Sequence, residues 1–456
     1  MDALRTDLYQ LTMAAGYFHR GFAPAVATCE MFVRRLPRRR RFLLAMGVER
    51  LLRYLEELSF TEDEIAFLRT VPALRDAMSA EFCDYLRRFR FTGDAWAVRE
   101  GTAVFATEPL VRIRAPIIEA QIVETFLLSV MNHATMIASK AARVVLAAGD
   151  AQVIEFGTRR THPDAAVDAA RAAYAAGFVG TSNVEAGMRF GIPVMGTAAH
   201  MWTMAHPSEE AAFEGYVATF PSASILLIDT YDTLRGAERA ARVAREKLRG
   251  VRLDSGDLLA LSRGVRSILD EHGCRATKIV ASGDLNEYRI AELRAAGAPI
   301  DMYGVGTDLV TSIDAPSLGG VYKLVEMERD GAAMPIAKFS EGKGTLPGPH
   351  QVHRIRDAGG RLLRDVITLA DEQPETRPGE QAEALLVPVM AGGKRTAPAE
   401  PLAAIRGRAQ AELGRLPPEL LEIPEPTPMW TPFLPTTSRR LQDLVEVVRT
   451  RVGAQH

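Results

Sequence analysis

VRLDSGD, residues 251–257, is the stretch whose reading decides the fold. A short apolar run ends there in Arg252, Asp254, Ser255, Gly256 and Asp257. Similar endings recur along the middle of the chain: EFGTRRTH at 155–162, GTAAH at 196–200, ASGD at 281–284 and GVGTD at 304–308. Each places polar or glycine residues just after an apolar run, and most precede a helix-like stretch. Strands that feed helices, with reactive side chains at the strand ends, describe a βα barrel whose site lies on its C-terminal face.

Working outward, strands are expected at 152–156, 178–180, 192–196, 225–228, 251–253, 279–281 and 300–304. Helices are expected between most of them, at Pro163–Ala176, 208–220, 232–248, 256–271 and 286–296. Pro163-Asp164 and the PSEE at 207–210 supply the proline and acidic residues of helix starts. The alternation favours a parallel sheet. Polar residues at many strand ends favour a barrel over an open sheet with one crevice.

The flanks differ in texture. Up to about residue 90 the chain reads mainly as helix, with helical apolar spacing over 8–18, 45–58 and 73–89. Residues 90–116 turn β-like, and 120–149 are helical and strongly apolar. After about residue 320 the pattern becomes hairpins around Asp330-Gly331, Gly359-Gly360 and Gly392-Gly393, all strong turn pairs. The expected organisation is an α+β domain built from 1–118 and 326–456, with a βα-barrel domain at 119–325. A last amphipathic helix, 438–452, docks on the body.

Composition narrows the function classes. The chain has 456 residues, 47% apolar and 25% charged, with a net charge of −2. Such a balance gives no reason to expect nucleic-acid or membrane binding. No apolar run approaches the ~20 residues of a membrane span. MDALRTDLYQ lacks the basic start and apolar core of a signal peptide. Cys29, Cys83 and Cys274 lie far apart, without metal or disulfide spacing. A reducing cytoplasm fits best. The basic run at 34–41, RRLPRRRR, invites a nucleic-acid reading, but acidic residues elsewhere balance its charge.

The combination resembles the nicotinate phosphoribosyltransferase family. TDLYQLTMAAGYF at 6–18, EFGTRR, GTAAH, LDSGD, SGDL, GVGT and KLVE at 323–326 carry the likeness in order and spacing; KFSEGKGTLPG at 338–348 matches more loosely. The resemblance implies an irregular βα (TIM-like) barrel beside a smaller domain made from both chain ends. It implies transfer of ribose 5-phosphate from phosphoribosyl pyrophosphate to nicotinate, giving nicotinate mononucleotide and pyrophosphate. It also implies Mg2+, ATP as co-substrate through a phosphohistidine, and a homodimer with shared sites.

Residue by residue, the resemblance places Arg159 on the nicotinate carboxylate and a phosphate-bearing substrate, and Phe156 near the pyridine ring. Spacing alone would leave Arg159 and Arg160 as a surface pair. His200 becomes the phosphorylated histidine, with a carboxylate expected beside it; His206 and His162 compete, and His162 also suits a cap for the Pro163 helix. Arg252 faces a phosphate or the nicotinate carboxylate, and Asp254 orients ribose hydroxyls or the ring. Ser255-Gly256 is expected to open a helix whose N-terminus favours an anion. A plain Asp254/Ser255 cap explains those two residues but not Arg252. Gly283-Asp284 and Gly304, Gly306 and Thr307 look like ribose and 5-phosphate elements; each glycine also fits a simple turn. GVGTDL is no dinucleotide fingerprint, because Leu309 stands where the third glycine belongs.

Asp7 and Tyr9 complete the neighbouring subunit's site in the family; by themselves they read as a capped first helix with a core tyrosine. Lys338, Lys343 and His350 are given no catalytic role. Ser182, with Asn183 beside it, stands where nicotinamide-specific relatives carry an acid. A neutral residue there favours nicotinate. The alternatives are a nicotinamide enzyme and a phosphate-binding barrel that has lost catalysis.

Overall fold

In the computed structural model of the chain, the alternating stretch forms one parallel sheet. The structure describes residues 3–329, 331–340, 342–424 and 431–453. Asp330 of the first expected hairpin turn and residues 425–430 of the proline-rich tail lie outside the described residues. The chain divides into two compact units. One comprises Ile137–Pro316 and Leu421–Pro426. The other comprises Met1–Met136, Ser317–Leu420 and Thr427–His456.

In the first unit the strands are β1 (Gln152–Glu155), β2 (Gly180–Thr181), β3 (Ile225–Leu227), β4 (Gly250–Leu253), β5 (Lys278–Ala281) and β6 (Met302–Val305). They pair in the order β2-β1-β6-β5-β4-β3, all parallel. Helices separate successive strands, so every strand ends on the same side of the sheet. The strand expected at 192–196 is reduced to a single bridge from Val194 to Thr181. Pro193 has no N–H to give a ladder, and the chain beyond it is largely exposed. Among the described residues no pairing joins this edge to β3, so the sheet is a mixed α/β parallel array without the ladder that would close a barrel.

Helix bounds follow local chemistry. The Pro163–Ala176 helix starts with proline at its first position and His162 as its cap, whose ring accepts the Asp164 N–H at 3.4 Å. It buries Ala166, Val167, Ala169, Ala170, Ala172, Ala173, Ala175 and Ala176, so small side chains meet packed neighbours over most of its surface.

The other unit is mainly antiparallel, with Thr436–Thr437 pairing parallel to Leu362–Leu369. Its larger sheet runs Ala332–Pro335, Gly320–Arg329, Val26–Val33, Pro109–Pro116, Asp94–Val98, Leu386–Ala391 and Lys394–Arg395. A smaller sheet holds Gln381–Ala384, His350–Arg356, Leu362–Leu369 and Thr436–Thr437. The Arg439–Gly453 helix buries Leu441 and Val448. Two expectations are corrected here. The first ninety residues are mainly helix, with Leu8–His19, Val48–Glu57, Glu62–Thr70 and Ala80–Arg88, but they also hold Val26–Val33, an unexpected strand near the middle of the larger sheet. The helix expected over 73–89 begins only at Ala80, where the Ser79 side chain caps the Phe82 N–H. The basic run also proves structural at its end: Arg40 and Arg41 are buried, and Arg41 donates to the Glu419 carbonyl. The three cysteines are buried and unpaired. No helix among the described residues is long and apolar enough to cross a membrane.

Candidate active site

The C-terminal ends of β3, β4 and β5 bring one polar cluster together. Arg252, the penultimate residue of β4, is its hub. Its Nε donates to Ser282 Oγ at 2.8 Å, Nη1 to Thr197 Oγ1 at 3.1 Å and Nη2 to Asp254 Oδ1 at 2.8 Å. These bonds use three of the five guanidinium hydrogens and leave two. Ser282, buried just beyond β5, donates its hydroxyl to the same Asp254 oxygen. Burial alone would push the Asp254 carboxyl up. The bonds from Ser282 and Arg252 and the charges of Arg252 and His200 outweigh it and hold the carboxyl below its ordinary range.

Asp229 follows β3 and fixes the turn after β4. Its Oδ2 accepts the Asp254 N–H at 2.9 Å and the Ser255 hydroxyl at 2.7 Å. Its Oδ1 is buried and has no partner. Next to it, Thr230 Oγ1 lies 3.1 Å from His200 Nδ1, while His200 Nε2 sits 4.0 Å from Asp254 Oδ2. The imidazole is thus oriented by a hydroxyl, with a carboxylate beyond hydrogen-bond reach on the other side.

The β1 end is built around a second buried acid. Glu155 accepts from the Gly157 N–H and from the Thr181 hydroxyl, and Thr181 Oγ1 accepts the Asn183 N–H at 2.9 Å. Burial pushes the Glu155 carboxyl up, opposed by those two donors. This acid ties the Phe156–Gly157 turn to the backbone on both sides of Ser182. The Phe156 ring packs against β6, where a Cβ on Gly304 would come 2.4 Å from its Cδ2. The Arg252 guanidinium carbon is 5.6 Å from the ring centroid. Phe156 and Arg252 therefore form one surface, apolar on one side and cationic on the other.

Gly283 lies where β5 passes the turn after β4. A Cβ there would meet the Asp254 carbonyl oxygen at 2.0 Å, and its φ is +91°. Asp284 follows with φ +47°, a left-handed conformation in a side-chain-bearing residue. Asn286 Nδ2 donates to Asp308 Oδ2 at 2.9 Å, linking the loops after β5 and β6. Among the described residues no group of three or more His, Cys, Asp or Glu is placed to hold a metal.

Residues 4–132 match the nicotinate phosphoribosyltransferase (NAPRTase) N-terminal domain, and 151–343 match the nicotinate phosphoribosyltransferase (NAPRTase) family. The chain is 44% identical over 430 residues to the nicotinate phosphoribosyltransferase pncB2 of Mycobacterium tuberculosis, covering 93% of this chain and 89% of that one. It is 45% identical over 381 residues to the nicotinate phosphoribosyltransferase of Bacillus subtilis, covering 81% and 77%. The chain belongs to the nicotinate phosphoribosyltransferase family. Its structure is similar to the crystal structure of human nicotinic acid phosphoribosyltransferase, with TM-score 0.83, 29% identity, and coverage of 97% and 99%.

Within this nicotinate phosphoribosyltransferase fold, the structure gathers Phe156, His200, Arg252, Asp254 and Ser255 through the contacts above. Arg159 and Arg160 lie exposed on a short turn after β1, Thr158–Arg160, where the Arg160 N–H donates to the Gly157 carbonyl. Ser182 is half-buried at the end of β2. Gly306 precedes the Thr307–Val310 turn, and a Cβ there would stand 3.0 Å from the Phe156 carbonyl oxygen. Ser255-Gly256 does not open a helix: the helix runs Leu258–Glu271, and Asp257 caps it by accepting the Leu259 and Ala260 N–H groups. The cap falls later than expected because Gly256 takes φ +82°, outside helical space.

His206 is occupied elsewhere, its Nδ1 2.7 Å from the Trp202 carbonyl oxygen and its ring 4.6 Å from the indole. In the other unit, Asp7 stands before the Leu8–His19 helix without capping it, and accepts instead from Thr125 Oγ1 at 3.0 Å. Tyr9 is 48% exposed, so it is no core residue. Lys338 and Lys343 are exposed. The sequence reading missed Asp229, Thr230, Thr197, Ser282 and Glu155. Ser282 stood inside the quoted ASGD, and Asp229 ends the apolar run ILLI at 225–228; both follow the strand-end rule that found Asp254.

Proposed function

We propose that the chain transfers ribose 5-phosphate from phosphoribosyl pyrophosphate to the ring nitrogen of nicotinate, forming nicotinate mononucleotide and pyrophosphate in NAD biosynthesis. The observation that carries this reading is the Arg252 cluster. It offers a fixed cation with free N–H groups, an ionised carboxylate and an aromatic face within one strand-end surface.

Breaking the bond between ribose C1 and pyrophosphate builds positive charge on the sugar and negative charge on the leaving group. Catalysis then requires preorganised charge and positioning. Phe156 supports the pyridine ring. Arg252 and Arg159 bind the nicotinate carboxylate and substrate phosphates through planar forks suited to such anions. Asp254 orients ribose hydroxyls. Gly283, Asp284, Gly304, Gly306 and Thr307 bring backbone N–H groups close to the ribose 5-phosphate. Ser182 leaves the nicotinate carboxylate unopposed. Mg2+ fits Asp229, whose Oδ1 is buried without a partner, and Asp254; one or two carboxylates with substrate phosphates suffice for it. Bound there, it would neutralise charge on the leaving pyrophosphate.

ATP coupling belongs to the same proposal. Thr230 engages His200 Nδ1 and leaves Nε2 free to accept a phosphoryl group. A homodimer, in which Asp7 and Tyr9 complete the partner's site, agrees with the exposed Leu8, Tyr9 and Met13 on one helix. An irregular βα (TIM-like) barrel and a cytoplasmic location are part of this reading.

The test is product formation by purified protein with phosphoribosyl pyrophosphate and Mg2+, comparing nicotinate, nicotinamide and quinolinate, each with and without ATP. The expected result is mononucleotide from nicotinate alone, formed faster with ATP and accompanied by ADP. His200→Ala should abolish the ATP stimulation and leave slow transfer. Stimulation retained in that variant would move the phosphohistidine elsewhere. Product from nicotinamide would refute the role given to Ser182, and no product from any base would refute the enzyme.

A further inference from the structure

Glu155 and Thr181 are the last residues of β1 and β2 and face each other as register partners. Both are almost wholly buried. Glu155 Oε1 accepts the Gly157 N–H, and Oε2 accepts the Thr181 hydroxyl. Thr181 Oγ1 extends the link by accepting the Asn183 N–H at 2.9 Å, while the Glu155 carbonyl accepts the Ser182 N–H at 2.9 Å. A carboxyl group is costly to bury. A backbone N–H and a hydroxyl, not a cation, offset that cost here. An ion pair is therefore not what this acid supplies. A satisfied buried network fixes the geometry of what it touches, and this one touches the start of two loops. On the Gly157 side the turn has no slack. A Cβ there would come 2.3 Å from Val310 Cγ1 and 3.0 Å from Glu155 Oε1.

We propose that Glu155, acting through Thr181, is a positioning residue for nicotinate, setting the distance between the turn that carries Phe156 and Arg159 and the loop that carries Ser182. This role rests on the transfer reaction proposed above. The Gly157 bond fixes the turn from which Phe156 meets the pyridine ring and Arg159 its carboxylate. The Thr181 relay fixes the backbone on both sides of Ser182, the neutral residue facing that carboxylate. Thr181 makes no bond to the Arg252 cluster or to the Gly283-Asp284 turn among the described residues, so its hydroxyl bears on nicotinate and not on the phosphate-bearing substrate.

The test is steady-state kinetics of Thr181→Val, a change of similar shape that cuts the relay to Ser182 and leaves the Glu155–Gly157 bond. KM for nicotinate should rise about tenfold or more, the scale on which a displacement of about 1 Å acts. The kcat and the KM for phosphoribosyl pyrophosphate should change little. Thr181→Ser keeps the hydroxyl and should restore most of the nicotinate KM. A merely structural role would instead lower kcat with the folded fraction and leave the nicotinate KM in place. Glu155→Gln offers an oxygen to Gly157 and an N–H to Thr181 Oγ1, so its nicotinate KM should lie far closer to wild type than that of Glu155→Ala. If Glu155→Ala fails to fold, the two threonine variants still decide. No product from the wild-type protein would refute the transfer reaction and this role with it. An active wild type whose nicotinate KM is unmoved in Thr181→Val, or rises only in step with that for phosphoribosyl pyrophosphate, would overturn the positioning role alone.

Discussion

Arg354 in the antiparallel unit and Arg252 in the parallel unit each hold a carboxylate by guanidinium N–H groups, Arg354 with two on Asp365 and Arg252 with one on Asp254. Arg354 is sealed. Its Nε and Nη2 reach Asp365 at 3.0 and 2.6 Å, its Nη1 reaches Glu412 at 2.6 Å, and Arg356 shares Glu412. The side chains of Arg354 and Asp365 have no exposed surface. Burial and the charge of Asp365 push the neighbouring Glu108 well above the usual carboxylate range. The Arg252 cluster is open by contrast. Its arginine, Asp254 and His200 side chains are 16%, 28% and 40% exposed. The same bond chemistry thus divides by access: a closed knot holds strands together, while an open one keeps donors and acceptors for something else.

Removing each hub is the sharpest way to break that contrast. Arg354→Ala should cost about 3–5 kcal/mol, because Asp365 and Glu412 would stay buried without a counter-charge. Urea unfolding reads this directly; a cost under about 1 kcal/mol would mean the knot relaxes into solvent. A smaller effect is expected from the charge of Asp254. Its carboxyl titrates below the ordinary aspartate value, so its ionised form stabilises the fold. That contribution is complete above about pH 4 and fades as pH falls through the lowered value. The melting temperature of Asp254→Asn should therefore trail the wild type most above pH 4 and converge with it in stronger acid. A gap independent of pH would assign the effect to packing. The smallest loss belongs to Asp257, whose role is a helix cap. Asp257→Ala should cost about 1 kcal/mol with an unchanged urea m-value. No loss would mean water replaces the cap.

The same contrast explains what the sequence could show. Strand-end residues were legible because each sits in its own short motif: Arg252 and Asp254 in VRLDSGD, Phe156 in EFGTRR, His200 in GTAAH. Their partners were not, since Asp229 meets Ser255 across 26 residues and Glu155 meets Thr181 across 26. Local patterns carry no record of such pairs. The Val26–Val33 strand escaped notice for another reason. It is buried on nearly every position, so the alternation that marks a half-buried strand is missing. The Arg354 knot was invisible too, because alternating charges on hairpin strands read as a solvated face. Sheet closure depends on pairing between 192–196 and β3, which Pro193 weakens and no motif reports.

The most direct measurement is kcat/KM for nicotinate mononucleotide formation and the melting temperature, taken on the same sample of Arg252→Ala. The open-cluster account predicts a fall in kcat/KM of about 10²–10³, as for loss of one preorganised charge donor, with a shift in melting temperature of only a few degrees. A collapse in melting temperature comparable to that of Arg354→Ala, or an activity close to wild type, would contradict it.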